Sequence, residues 1–127
     1  MVLIPTKIIR ILAFFRLYPS SMSNSYLISG TIVNGSGSPL EGLTVKAFDI
    51  DLLSEDDYLG HGITTINGSF TILYRKEQFV KSRIESIAEG GPDIVLRIYG
   101  TDGTLLHTTT KRSGAQLFEQ YHIQLDA

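Results

Sequence analysis

Five carboxylates fall within nine residues: Asp49, Asp51, Glu55, Asp56 and Asp57. Oxygen-rich clusters of this kind attract hard cations such as calcium, and Asp49, Asp51, Asp56 and Asp57 are the candidate ligands. The segment has neither the ligand spacing nor the central glycine of an EF-hand loop. The competing use is local, with Asp49 or Asp57 capping backbone N–H groups at a turn. His61, His107 and His122 are the other groups suited to chemistry, as proton acceptors or metal ligands. Each stands alone on its segment, without a histidine or carboxylate at the spacing a shared site needs. No Ser-His-Asp set or nucleophile elbow is visible. Gly35-Ser-Gly37 lacks the lysine and the following helix of a phosphate loop. The chain has no cysteine, which excludes disulfides, thiolate metal sites and cysteine nucleophiles. The residues therefore point to no catalytic set, no cofactor and no metal apart from the calcium candidates.

These residues need a frame, and the chain is long enough for one. Its 127 residues suit a single domain, and a hydrophobic content of 43% can fill a core. A net charge of −2 with mixed signs argues against a nucleic-acid or electrostatic membrane surface. Residues 1–21 differ from the rest: they carry Lys7, Arg10 and Arg16, no acid, and an apolar run around Ile8 to Phe15. Three readings stay open for this extension: a signal peptide interrupted by arginines, an upstream extension before a start at Met22, or a basic amphipathic surface helix. The run is too short and too charged to span a bilayer. The domain proper is 22–127. It is cytoplasmic if Met22 is the start and secreted if 1–21 is a signal.

Short apolar segments alternate with Gly, Pro, Asn and Asp turns, the pattern of a small all-β domain. Along 26–33, Ile28, Gly30 and Ile32 share one face. Along 42–49, Leu43, Val45 and Ala47 point one way, and along 119–125 Tyr121, Ile123 and Leu125 do. Segments 59–65 and 69–74 read as a hairpin across Ile66-Asn67-Gly68, and 93–99 and 105–110 as another across Thr101-Asp102-Gly103. In the second, a three-residue loop with Gly103 left-handed pairs Ile98 with Leu106 and Arg97 with His107, leaving His107 on the outer face. In the first, His61 faces out with three loop residues and in with two. Val80, Ile84 and Ile87 form a helical stripe that Gly90-Gly91-Pro92 stops, so 75–91 holds a short helical insert. Leu27, Val33, Phe48, Leu73, Val95 and Tyr99 lie opposite the core positions. They are covered by the insert or the extension, or they mark a partner surface.

The motifs in order are Gly30, Pro39-Leu40-Glu41-Gly42, Val45, Ala47-Phe48-Asp49, Asp51-Leu52, Leu59-Gly60, Thr64, Gly68, Phe70, Ile72, Pro92-Asp93 and Gly103. With these gaps the chain from about Tyr26 to Leu125 resembles the transthyretin-like, or prealbumin-like, family. It is most similar to the bacterial copies related to carboxypeptidase regulatory domains. The resemblance implies an all-β, seven-stranded Greek-key sandwich. It also implies a non-catalytic binding or structural module in protein–protein association, within a larger bacterial assembly, and not an enzyme. Its partner is a protein or a second copy meeting an edge strand, with no nucleic acid and no membrane. One branch of the wider family hydrolyses 5-hydroxyisourate, with His and Arg residues near its strand ends and a Tyr-Arg-Gly-Ser tail. This chain ends Tyr121-His-Ile-Gln-Leu-Asp-Ala127 without that tail. That hydrolase, and a calcium- or carbohydrate-binding module, are the alternatives.

Overall fold

The computed structural model describes residues 25–51, 55–80 and 91–126. The extension 1–21 and the stripe residues Ile84 and Ile87 lie outside the described residues. Seven strands are described: β1 (Ser25–Asn34), β2 (Thr44–Asp49), β3 (Asp57–Ile63), β4 (Ser69–Arg75), β5 (Ile94–Tyr99), β6 (Leu105–Thr108) and β7 (Phe118–Leu125). One 3-10 turn, Lys76–Gln78, follows β4. Among the described residues no helix is long and apolar enough to cross a membrane.

Two sheets form, in the orders β4-β1-β7 and β3-β2-β5-β6. β7 runs parallel to β1, and the other pairs are antiparallel. Period-two alternation selects the inward set, because successive side chains leave a strand on opposite faces. Ile28 and Ile32 from β1, Val45 and Ala47 from β2, and Leu96 and Ile98 from β5 are fully buried, and Tyr121, Ile123 and Leu125 from β7 are buried beside β1. Gly30 leaves room for a ring: a Cβ there would lie 2.6 Å from Phe70 Cζ. The inward faces expected for β1, β2 and β7 are therefore observed.

The expected hairpin between 59–65 and 69–74 does not form. β3 pairs with β2 and β4 pairs with β1, so the turn at Asn67-Gly68 carries the chain from one sheet to the other. Thr64 sets this crossing. Its hydroxyl accepts a 2.9 Å hydrogen bond from the Leu43 N–H, and its own N–H donates to the Leu43 carbonyl at 2.9 Å. Two glycines then let β3 lie against β4 across the sandwich. A Cβ on Gly62 would stand 2.6 Å from the Thr71 carbonyl oxygen, and one on Gly60 3.2 Å from Ile72 Cγ2. Glycine inside a strand marks such a close approach. This side of the sandwich is closed.

The second hairpin forms, with a different register. Ile98 opposes His107, Tyr99 opposes Leu105, and Arg97 opposes Thr108. Leu106 is the extra residue of a β-bulge, beside the expected left-handed Gly103 at φ 84°. Directly opposed residues share a face, so His107 joins inward-facing Ile98 on the inter-sheet side. The expectation that His107 sits on the outer face is overturned by this one-residue shift.

Candidate functional site: a cleft between β6 and β7

The side of the sandwich away from the glycine seam is open. A cleft of about 320 Å³ lies there, lined by His107 and Thr108 of β6, Arg112 beyond it, and Tyr121, His122 and Gln124 of β7. His107 reaches it because the bulge turns it inward. After β6 the chain keeps following β5. Thr109 donates its N–H to the Leu96 carbonyl at 2.9 Å, and its hydroxyl accepts from the Leu96 N–H at 2.9 Å. Arg112 is then fixed by a two-bond bridge to Ile94, at 2.8 and 2.9 Å.

The Arg112 side chain forms the inner wall. Its guanidinium lies 3.6 Å from the centre of the Tyr121 ring, a cation–π stack. Its Nη1 donates to the Glu119 carboxylate at 3.1 Å and to the Gln120 carbonyl at 2.8 Å. Glu119 also accepts the Gln116 N–H at 2.8 Å, so the carboxylate that balances Arg112 is itself held. Beneath the guanidinium, the buried Tyr121 hydroxyl has no hydrogen-bond partner among the described residues. Burial raises the Tyr121 phenol above its ordinary pKa, so it stays a neutral donor. The His122 Nδ1 is 2.8 Å from the Thr31 hydroxyl of β1, which fixes the ring. The cleft thus gathers the His107 imidazole, the Arg112 guanidinium and threonine hydroxyls, with His122 at its rim on the outer face of β7. Such a set can donate hydrogen bonds to ligand oxygens, and an imidazole is a group that can take up and return a proton.

The residues singled out by type lie elsewhere, with two exceptions. Asp49 accepts the Asp93 N–H at 2.9 Å, the turn-capping alternative considered for it. Asp56 pairs with Arg97 at 3.0 Å, Asp57 opens β3 opposite Asp49, and Asp51 is exposed in the loop. Among the described residues no group of three or more His, Asp or Glu is placed to hold a metal ion. His61 faces outward from β3, 2.7 Å from the Tyr58 hydroxyl. His107 and His122 both border the β6–β7 opening, His107 on the inter-sheet side and His122 on the outer face of β7, where it meets Thr31. Nothing local in the sequence marks Arg112; its place depends on a long-range bridge to β5.

No protein-family model matches the chain, and no curated protein does. Solved structures share its fold. A 9R-lipoxygenase from Cyanothece PCC8801 aligns over 93% of this chain and 20% of its own, with 18% identity and a TM-score of 0.61. An (S)-allantoin synthase aligns over 91% of this chain and 46% of its own, with 13% identity and a TM-score of 0.51. Chlorocatechol 1,2-dioxygenase from Pseudomonas putida aligns over 82% of this chain and 61% of its own, with 9% identity and a TM-score of 0.51. The chain therefore spans a fifth to about three-fifths of these proteins. At such identities the likeness establishes a common β-sandwich and transfers no activity. It does correct one expectation. All three neighbours are named as enzymes, so they lend no support to a non-catalytic module for protein–protein association, and that reading is withdrawn.

Proposed function

We propose that the chain is a small hydrolase acting on a polar ring compound of the 5-hydroxyisourate type, with its site in the β6–β7 cleft. The carrying observation is that His107, Arg112 and His122, from three separate segments, border one cleft. Hydrolysis of a cyclic amide needs a base to take a proton from water as its oxygen bonds to the carbonyl carbon. It then needs an acid to return that proton to the departing nitrogen as the ring bond breaks. The two imidazoles are of the type that does both. Glu119 offsets much of the Arg112 charge, so the guanidinium serves as an oriented donor to a substrate oxygen more than as a bare counter-ion. The frame we read as a seven-stranded Greek key of the prealbumin type, similar to carboxypeptidase regulatory-like domains. The hydrolase branch of that family uses the same residue types near its strand ends. Arg112 is the arginine that lines the cleft.

The test is turnover of freshly generated 5-hydroxyisourate, followed by its ultraviolet absorbance. Wild type is expected to exceed the buffer rate, and His107→Ala and His122→Ala to lose about a hundredfold or more of that excess. Both histidines are exposed, so the variants should melt with wild type. A wild-type rate equal to buffer, or variants as active as wild type, refutes the proposal.

A further inference from the structure

The outer face of the β3-β2-β5-β6 sheet carries an arrangement that neither the core nor the cleft uses. Arg97 of β5 lies directly opposite Lys46 of β2, and Lys46 lies directly opposite His61 of β3. Three basic side chains thus stand in one row across adjacent strands, at roughly the 4.8 Å strand spacing. Like charges directly opposed destabilise a sheet. The side chains respond by parting. The Lys46 ammonium moves over the Tyr99 ring, 4.9 Å from its centre. The Arg97 guanidinium moves the other way, over Phe48 at 4.3 Å and onto Asp56 at 3.0 Å. Among the described residues Lys46 has no carboxylate partner. The protein as a whole is net negative, so this concentration of base is not a reflection of composition.

We infer that this face binds an anionic oligosaccharide, a chain of uronic-acid type with a carboxylate on successive sugars. Charge complementarity supplies the first argument: the Lys46 ammonium has no carboxylate partner among the described residues, and Arg97, held by Asp56, stands directly beside it. The borders of the row supply the second. Tyr99 flanks it on one side, and Phe48 and Tyr58 flank it on the other, with ring centres 5.7 Å apart. Tyr58 is 48% exposed, which leaves aromatic surface for the apolar faces of sugar rings. The face is open and flat, so an extended ligand that touches several strands gains more than a compact one. An acidic peptide offers no ring faces to the tyrosines, and in a nucleic acid the charge sits on the phosphates, apart from the stacking bases. The sheet places Tyr99 on one border of the basic row and Tyr58 with Phe48 on the other.

The probes are tetragalacturonate, its neutral galactose counterpart, a four-residue glutamate peptide and a short single-stranded DNA, each titrated calorimetrically into the full chain. Saturable binding of tetragalacturonate that weakens with salt is expected, with little heat from the other three. Lys46→Met keeps the stem and removes the charge. It should weaken binding about tenfold, the size of one charge-assisted contact. It should also leave the melting temperature unchanged or higher, because it relieves the opposed pair. The loss of binding without loss of stability separates a binding role from a structural one. If Lys46→Met destabilises the fold, Tyr58→Ala is the second variant, and it should weaken binding while Phe48 and Arg97 keep their contact. No binding of tetragalacturonate, equal binding of the peptide or the DNA, or affinity untouched in both variants overturns the inference.

Discussion

Gly62→Ala tests the closed side of the sandwich directly. The added methyl would stand 2.6 Å from the Thr71 carbonyl oxygen, with the Thr71 carbonyl carbon at 3.3 Å and its nitrogen at 3.4 Å. All three are backbone atoms, so no rotamer change relieves the clash. β3 must move off β4 until the first contact reaches at least the ordinary 3.4 Å. That movement loosens Leu59 and Ile72, both within 1% of full burial. Overpacking of this kind costs about 2–3 kcal/mol at the upper part of its usual range. For a chain of this size that corresponds to a fall of roughly 8–12 °C in Tm. The control is Gly35→Ala, where nothing lies within 4 Å of the new methyl and φ is not positive. It should be neutral or stabilise by up to about 1 kcal/mol, through the unfolded chain. Thermal melts by circular dichroism, with urea titration to confirm, decide the matter. If Gly62→Ala melts within about 0.5 kcal/mol of Gly35→Ala, the two strands do not meet backbone to backbone and the closed seam is wrong.

Two further outcomes follow from buried polar groups. Thr64→Val removes the acceptor of the Leu43 N–H in a position only 3% exposed, and should cost about 1–3 kcal/mol by chemical denaturation. Tyr74 is fully buried with an unpartnered hydroxyl among the described residues, so Tyr74→Phe should be neutral or slightly stabilising in the same assay. Burial, with smaller contributions from nearby Tyr26 and Glu119, holds the Tyr74 phenol far above its ordinary value. A raised folded pKa gives a contribution that is complete below the unfolded pKa of about 10 and is lost as pH rises beyond it. Wild type should therefore lose stability above about pH 10 more steeply than Tyr74→Phe, and parallel curves would refute this.

What the sequence makes legible is local. Period-two alternation names the inward residues of β1, β2 and β7 without help from tertiary structure. Partner choice is not legible in the same way. An Asn-Gly turn between two apolar runs signals a hairpin, yet here it joins two sheets, since nothing in the turn encodes whether flanking strands pair or cross. The informative residues lay inside the strand. Gly60 and Gly62 alternate along β3, which suits a strand whose inner face meets another backbone. The β5–β6 register turned on Leu106. A bulge adds one residue, and one residue moves His107 from outside to inside. Arg112 carries no local signal at all. Its place in the cleft comes from a bridge to Ile94, 18 residues earlier in the chain.

The position of the cleft follows from the same topology. Each sheet has two edges, so a two-layer sandwich has two seams to close or leave open. Gly60 and Gly62 of β3 close theirs against β4, and no side chain projects between the sheets at those two positions. At the other seam stand β6, four residues long and bulged, and β7, joined to β1 along its whole length. A short, bulged edge cannot cover a long partner, so inward residues there stay accessible. At this seam a side chain can touch both the core and water. Arg112 does so, stacked on buried Tyr121 and bonded to Glu119 at the surface. The bulge therefore has two effects with one cause: it keeps the seam open, and it turns His107 into the opening.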